Sequence, residues 1–282
     1  MVNISLSYPA VQVKNFDNDR YLCSLFTPSS QMREQLFIIY AFNIELNFIK
    51  HRVNDEMLAM IRLEWWRETI EDIYLNKIRE HPIVKPLAEV INQLSLDKEI
   101  LINRINAEEY SLGINSLRTM DNLYQYIEFS SLPIFKISLD ILGNTNHKIK
   151  NIIKDLAIVW SIIDIIKSIK PHMLAKNILI PEEVMNKHGI AQYMILEPIY
   201  KENVKTLIAE LVEIASIHLK QVYSVQNLVS RELYAVFLMA TLSQSFIKRI
   251  KHIKYNIFDY TPQVNRLKTQ LILLMRVLIK EF

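Results

Sequence analysis

Glycine is nearly absent from this sequence, and its scarcity constrains the fold more than any other feature. Only Gly113, Gly143 and Gly189 occur in 282 residues. Folds built from strands and tight turns need more glycine than this, and so do the loops that cradle phosphate groups. Apolar residues, which make up 50% of the chain, recur at helical spacing instead. The sequence therefore predicts an all-α protein.

Proline, glycine and capping residues divide the chain into nine or ten predicted helices. Pro28 ends a short first helix, and Pro171 breaks a very apolar helix over residues 147–169. Further helices are predicted over residues 84–94, 119–143, 199–226, 229–252 and 262–281. No linker, composition shift or internal repeat separates them. Residues 1–282 are therefore predicted to form one domain, a helical bundle with any ligand site at its centre.

Charge and hydropathy exclude several classes of protein. The net charge is +3, with Lys and Arg scattered among Asp and Glu, so a nucleic-acid surface is not expected. The single cysteine, Cys23, allows no disulfide within the chain and no Cys-based metal site. The N-terminal residues do not resemble an export or import signal. The longest uncharged apolar run, 233–247, is shorter than the roughly 20 residues of a membrane span. We expect a cytoplasmic protein, with peripheral contact at the inner membrane face left open.

Four segments carry a resemblance to a known family, and they occur in the family's order. They are DRYLCSLFTPSSQMREQLFIIYAFNIEL, IRLEWWRETIEDIY, TMDNLYQYIEFSSLPIFKISLDILG and NILIPEEVMNKHGI. Together they resemble the squalene/phytoene synthase family over nearly the whole chain. The resemblance implies an isoprenoid-synthase-like helical bundle with a central cavity. Active members condense prenyl diphosphates, using two aspartate-rich motifs that hold Mg²⁺ against the diphosphate. Mg²⁺ prefers oxygen ligands such as carboxylates and phosphate oxygens.

The first of these motifs has lost all of its acids in this sequence. In active members, DDxxD follows a segment that matches Tyr40 to Phe42 here. The three acid positions then fall on Asn47, Phe48 and His51. Phenylalanine cannot bind a metal, the amide of asparagine is a weak neutral donor, and histidine is a poor ligand for Mg²⁺.

The second motif, DxxxD, is lost as well. Its acid positions fall on Ser168 and His172. Asp164 lies one helical turn before Ser168, and Glu45 has a comparable place near the first motif, but neither replaces a paired array. We therefore predict no metal site and no cofactor. Mg²⁺ would be needed only if the chain were an active prenyltransferase that uses other residues.

Several singled-out residues have both a structural and a functional interpretation. Lys167, Lys170 and Lys176 are typical of a solvated helix end, but they could also bind the anionic head of a prenyl diphosphate or lipid. His51 and His172 are either structural histidines or part of the same degenerate site. Structural roles are predicted for the rest: exposed helix acids at Glu108 and Glu109, caps or ion pairs at Asp17, Asp19 and Arg20, and core or groove aromatics at Trp65 and Trp66.

The segments AFNIEL and IRLEWW, and the histidine that precedes LIP, resemble a divergent branch of the family more than its enzymes. That branch acts in the assembly of respiratory complex I. The resemblance implies a non-catalytic assembly factor whose partners are complex I subunits. Two alternatives stay open, a prenyltransferase and a module that binds prenyl diphosphate or anionic lipid. The loss of both motifs favours a protein that is not an enzyme.

Overall fold

A computed structural model describes residues 6–52, 55–112, 117–172, 179–260, 266–279 and 281–282, without the side chains of 50–52, 170–172 and 266. These residues form α-helices and short 3₁₀ turns, and no strand occurs among them. The α-helices are α1 (Tyr8–Phe16), α2 (Asn18–Ser24), α3 (Ser30–Arg52), α4 (Glu56–Tyr74), α5 (Val84–Leu94), α6 (Lys98–Leu112), α7 (Met120–Phe129), α8 (Ser131–Ile141), α9 (His147–His172), α10 (Glu182–Lys187), α11 (Lys201–Ser224), α12 (Tyr234–His252) and α13 (Arg266–Leu278). The predicted all-α class is confirmed.

Two predicted helices are divided in the structure. The first is interrupted at Asp17, whose carboxylate caps α2 by accepting a hydrogen bond from the backbone N–H of Arg20. The helix predicted over residues 119–143 breaks at Ser130 into α7 and α8. Pro133 lies in the first turn of α8, where a residue without an N–H is tolerated, whereas it would disrupt the interior of a longer helix. Gly143 follows α8 with φ +73°, a conformation that favours glycine, so the predicted stop is found where expected.

Helices α3 and α9 form the centre of the bundle. Helix α9 packs against α8, α11 and α12, and α3 packs against α1, α5 and α8. Every side chain from Leu36 to Ile44 and from Leu156 to Ile163 is buried. A helix that is apolar on all sides belongs in the interior. These two helices also carry the two degenerate motifs, so burial of both places the motif positions next to the middle of the molecule.

No helix in the described ranges is both long enough and apolar enough to cross a membrane. Helix α12, which contains most of the apolar run 233–247, buries its apolar residues against α2, α9 and α11. The run 233–247 is thus used as core, as its length predicts.

Candidate functional site

A cavity of about 400 Å³, which we call the central cavity, lies between the helices that carry the two degenerate motifs. Helices α3 and α9 form opposite parts of its wall, α6, α7 and α8 complete it, and Arg20 enters from α2. Its polar and charged lining residues are Arg20, Asn43, Asn47, Arg104, Glu108, Ser111, Ser130, Ser131, Ser161, Asp164, Lys167 and Ser168. The remaining described lining residues are Leu123, Tyr126, Ile127, Trp160, Ile165 and Leu179. A cavity at the centre of the bundle is what the resemblance implies.

Arg104 of α6 organises one side of the central cavity. It is only 2% exposed, and its Nε donates a hydrogen bond to Oδ1 of Asn43 at 2.9 Å. Its Nη2 donates to Oδ1 of Asn47, the first acid position of the degenerate motif. Its Nη1 lies 2.8 Å from Oε1 of Glu108 one turn later on α6. A guanidinium group therefore binds the side chain at the position that the resemblance predicts to match a metal-binding acid of active members.

Glu108 is buried, which corrects the prediction of an exposed helix acid. It is 5% exposed because α6 turns this face toward α3 and the central cavity. The ion pair with Arg104 compensates its carboxylate for the loss of water. Its neighbour Glu109 does face outward and accepts a hydrogen bond from Arg67, so the prediction holds for that residue. Burial and the nearby Glu108 carboxylate raise the pKa of Tyr126, which also borders the cavity.

Arg20 lies between aromatic rings at the other side of the central cavity. Its guanidinium carbon is 5.2 Å from the ring centroid of Tyr40 and 5.3 Å from that of Trp160. It is 5% exposed and forms an ion pair with Asp17 at 2.7 Å. The predicted roles of Asp17 as cap and Arg20 as ion-pair partner are therefore found. The stacking on aromatic rings is an additional feature, typical of arginine in a partly desolvated place.

Lys167 is not at a solvated helix end, which corrects that prediction for this residue. Its Nζ is 3.1 Å from Oδ2 of Asp19 and 5.5 Å from the ring centroid of Trp160. Burial alone would lower the pKa of the ammonium group, but the carboxylates of Asp19 and Asp164 outweigh burial, so the pKa is raised. Helix α9 continues past this residue to His172, so Lys167 is half-buried at the edge of the cavity and stays charged there.

Asp164 is the acid nearest to the second degenerate motif, and its environment disfavours ionisation. Enclosure by protein raises the pKa of its carboxyl group to about 6, although Lys167 and Arg20 oppose the rise. The side chain is nevertheless open to solvent, because it faces the cavity. Asp164 is thus partly protonated near neutral pH, and such a carboxyl group is a weaker metal ligand than a fully ionised one.

The other degenerate motif positions are distributed unevenly. Ser168 lines the central cavity, and its Oγ donates to the backbone oxygen of Ile165 at 2.8 Å. Phe48 does not line the central cavity and packs edge-on against Phe16, with ring centroids 4.7 Å apart. The side chains of His51, Lys170 and His172 lie outside the described part of the structure, as does Lys176. Of the predicted ligand-binding residues, the structure therefore brings together Asn47, Lys167 and Ser168.

An adjoining cavity of about 320 Å³ shares Arg20, Asn47, Trp160 and Asp164 with the central cavity. Asp17, Asp19 and Asp164 line it, so three carboxylates approach one space. Two of them are already neutralised, Asp17 by Arg20 and Asp19 by Lys167. Within the described ranges, no three His, Cys, Asp or Glu side chains form a group able to hold a metal ion. These described residues do not match the carboxylate set that a diphosphate–Mg²⁺ cluster needs.

Glu45 and the two tryptophans belong to a separate feature. Glu45, Phe48 and Trp65 line a cavity of about 220 Å³ that also includes His81. Trp66 is 4% exposed and packs against Phe42, with ring centroids 5.3 Å apart. The predicted roles of the tryptophans as core and groove aromatics are found. Glu45 is not among the residues that line the central cavity.

Arg104 is the functional residue that the sequence interpretation missed. The signal was present, because Leu101, Arg104, Ile105 and Glu108 recur at the spacing of one helical face. An arginine and a glutamate four residues apart on an otherwise apolar face indicate a buried ion pair. That pattern distinguishes Glu108 from its exposed neighbour Glu109.

The helical fold with its central cavity agrees with a comparison of the whole sequence with known protein families. A model of the squalene/phytoene synthase family matches residues 13–270, so the chain belongs to that family. The family resemblance and the isoprenoid-synthase-like fold predicted from the sequence are confirmed.

Particular relatives divide into two groups. The chain is 25% identical over 247 residues to "NADH dehydrogenase (ubiquinone) complex I, assembly factor 6" of Homo sapiens, covering 88% of this chain and 74% of that protein. It is also 25% identical over 264 residues to the assembly factor 6 homologue of Dictyostelium discoideum, covering 92% of this chain and 73% of that protein. Among solved structures, squalene synthase HpnC from Alicyclobacillus acidocaldarius matches with a TM-score of 0.76 and 18% identity over 88% of this chain and 93% of its own. The structure of a dehydrosqualene synthase in complex with ligand matches with a TM-score of 0.82 and 16% sequence identity, covering 95% of this chain and 93% of that chain. At these identities the two structures establish the fold.

Proposed function

We propose that this chain is a non-catalytic member of the squalene/phytoene synthase family that assists the assembly of respiratory complex I. The observation that carries the proposal is the arginine at the first motif. Arg104 donates to Asn47, so a fixed cation and a neutral amide occupy the place where active members gather Mg²⁺ with acids. The relatives named as complex I assembly factors span most of the chain and supply the function that this altered site supports.

The lining of the central cavity also supports a role other than prenyl transfer. Twelve of the eighteen described lining residues are polar or charged. A pocket that holds two long prenyl chains needs predominantly apolar walls, with only a few polar groups at the head. Ionisation of a diphosphate also needs concentrated positive charge that is free to meet it. Here Arg20, Arg104 and Lys167 are each engaged with a carboxylate of the protein.

The partners in this proposal are complex I subunits, and deletion of the chain tests it. Cells that lack the protein are expected to lose assembled complex I on native gels, with NADH oxidation reduced in proportion. Succinate oxidation serves as the control, because it does not pass through complex I. Normal levels of assembled complex I in the deletion would refute the assembly role.

A second assay distinguishes this proposal from a prenyltransferase. The purified chain is incubated with farnesyl diphosphate and Mg²⁺, and released diphosphate is measured, with an active squalene synthase as the positive control. Release at the rate of the protein-free reaction is expected. A rate clearly above that background would overturn the non-catalytic assignment even if the chain also promoted assembly.

One observation favours a ligand-holding role as the second candidate. Trp160 is 3% exposed, and its Nε1 has no acceptor among the described residues. It borders both the central and the adjoining cavity, next to Arg20 and Lys167. An anionic head group of a prenyl diphosphate or lipid could accept from this N–H without being ionised. A rise in melting temperature with farnesyl diphosphate in the absence of Mg²⁺ supports this candidate, and no shift with or without Mg²⁺ removes it.

A further inference from the structure

Helix α13 presents a row of large apolar side chains to solvent. Residues spaced by four and three positions share one face of a helix, and here they are leucines or similar in size. Each is exposed over 44–71% of its surface. We call this row the apolar stripe, and it consists of Leu267, Leu271, Leu274, Met275 and Leu278 of α13 and of Ile279 directly after the helix.

The opposite face of α13 attaches the helix to the bundle. Leu273 is fully buried, and Nη2 of Arg276 donates to Oε1 of Gln244 on α12 at 3.3 Å. Just beyond the helix, the ring of Phe282 lies 5.0 Å from that of Phe237. The helix is therefore held by its inner face, and the stripe is not needed for packing within the chain.

The stripe is large for the surface of a single chain. Its six side chains together expose on the order of 600 Å² of apolar area, at the upper end of what monomers present as one patch. Isolated apolar residues on a surface need no explanation, but a continuous stripe of this size marks an interaction surface.

Positive charge is concentrated in the same part of the chain. Residues 248–282 contain eight Lys and Arg but only two acids, whereas the whole chain has a net charge of +3. The remainder of the chain is consequently net negative. The even mixture of charges expected from the sequence therefore does not extend to this segment. One of its acids, Glu281, pairs with Arg276, and the other, Asp259, accepts a hydrogen bond from Asn256.

The antiparallel arrangement of α12 and α13 places basic residues near the start of α13. Arg276 meets Gln244 and Phe282 meets Phe237, so rising numbers in α13 follow falling numbers in α12. The start of α13 accordingly lies next to the end of α12. The exposed groups of that end form what we call the basic turn, and they are Lys248, Lys251, His252 and Lys254.

We propose that the apolar stripe and the basic turn dock this protein on the surface of an anionic lipid bilayer. Helix α13 has 13 residues and is about 20 Å long, so it lies in the membrane plane and does not cross it. Its leucines enter the boundary between head groups and acyl chains, and the basic turn faces lipid phosphates. The inference rests on the exposed helix and not on the proposed assembly role, so either can fail without the other.

The charge of this region favours a lipid bilayer over a second copy of the chain as the partner that covers the apolar stripe. The leucine spacing of four and three would also suit pairing between two helices. However, α13 contains no acidic residue, so neither copy of α13 would offer an acid to the basic residues of the other. An anionic membrane surface instead complements those charges and covers the whole stripe at once.

Vesicle sedimentation tests the proposal with the full-length protein. The vesicles are phosphatidylcholine alone and an equimolar mixture of phosphatidylcholine and phosphatidylglycerol. Leu271→Ser/Leu278→Ser removes two members of the stripe that are 61% and 65% exposed. Met57→Ser/Ile61→Ser on α4 is the matched control, because these residues are 72% and 58% exposed. Circular dichroism verifies that each variant is folded, and light scattering measures its oligomeric state.

The wild type is expected to bind the anionic vesicles, more weakly at high salt and more weakly still to phosphatidylcholine alone. The stripe variant is expected to bind at least tenfold more weakly, since burial of each leucine contributes to partitioning. Lys248→Gln/Lys251→Gln is expected to weaken only the salt-dependent part. Three results would overturn the proposal: no vesicle binding by the wild type, equal loss in the α4 control, or a dimer that only the stripe variant dissociates while vesicle binding is absent.

Discussion

Replacing Arg104 with methionine tests the account of the central cavity most directly. The arginine is 2% exposed and is the partner of three groups, the amide oxygens of Asn43 and Asn47 and the carboxylate of Glu108. Methionine keeps much of the length and volume of the side chain but offers no hydrogen-bond donor. The substitution therefore removes the charge and the three contacts while leaving the packing of α6 against α3 largely unchanged.

The expected loss of folding free energy in Arg104→Met depends on the carboxylate of Glu108, which loses its partner. Glu108 is 5% exposed, and removing one partner of a buried ion pair costs about 3–5 kcal/mol, because the other charge stays buried without compensation. Glu108 borders a cavity that water can enter, so the lower end, about 3 kcal/mol, is expected. For a chain of this size, such a loss lowers the melting temperature by roughly 6–12 °C.

The assay is chemical denaturation followed by circular dichroism, with two comparison variants. Lys150→Met breaks an exposed ion pair, in which Nζ of Lys150 lies 3.3 Å from Oδ1 of Asp140. The two side chains are 46% and 42% exposed. That variant is expected to lose less than about 1 kcal/mol. The double variant Arg104→Met/Glu108→Leu removes both buried charges, so it is expected to recover at least 1 kcal/mol, on the order of the coupling found for contacting charges.

A particular outcome would refute this reasoning. If Arg104→Met loses no more stability than Lys150→Met, then water or a ligand in the cavity already satisfies Glu108, and the arginine is not its essential partner. If the double variant is less stable than Arg104→Met alone, then Glu108 contributes through contacts other than the ion pair.

Three further substitutions give independent tests. Asp164→Asn tests the pH dependence of stability. The pKa of Asp164 in the folded state is raised to about 6, so the folded state holds this proton more tightly than the unfolded state does. The stability of the wild type therefore falls as the pH rises from about 4 to above 6. The variant should melt higher than wild type at pH 7.5 and equally at pH 4, with a gain of no more than about 1 kcal/mol since solvent reaches the carboxyl; an equal difference at both pH values would contradict the assignment. Thr119→Ala removes the capping box of α7, in which the threonine hydroxyl accepts from the N–H of Asn122 at 3.2 Å, and should cost about 1 kcal/mol in denaturant titration. Asn47→Asp/Ser168→Asp returns one acid to each motif, yet the new carboxylate at 47 would pair with Arg104, so Mg²⁺-dependent diphosphate release should stay at background; measurable release would show that the acids alone are the missing part.

Helix positions were largely predictable because they depend on local chemistry. Apolar spacing identified the buried central helices, and Gly143 marked the end of α8, where φ is +73°. The prediction was wrong where two signals conflicted. Apolar periodicity continues across residues 119–143, but the helix breaks at Ser130 and Pro133 lies in the first turn of the next one. Such breaks depend on one or two residues, whereas periodicity averages over many.

The candidate site was predictable only in part. The spacing from Tyr40 predicts the first motif position at Asn47, and Asn47 lines the central cavity. The spacing could not show that Phe48 packs against Phe16, since adjacent helical residues point in directions about 100° apart and their neighbours decide what they meet. It also could not show that Lys167 pairs with Asp19, which is 148 residues away in the chain.

By itself, the sequence determined the helical class and the membership of the family, and it predicts the loss of both acidic motifs, because each of these depends on residue type and local spacing. Only the tertiary structure decided what replaced the acids. Arg104 comes from α6, Arg20 from α2 and Lys167 from α9, and packing brings these three charges to one cavity, each with its own carboxylate. Whether a charged side chain is solvated or enclosed depends on the helices packed around it: that packing buries Glu108 and half-buries Lys167, against the local expectation for both.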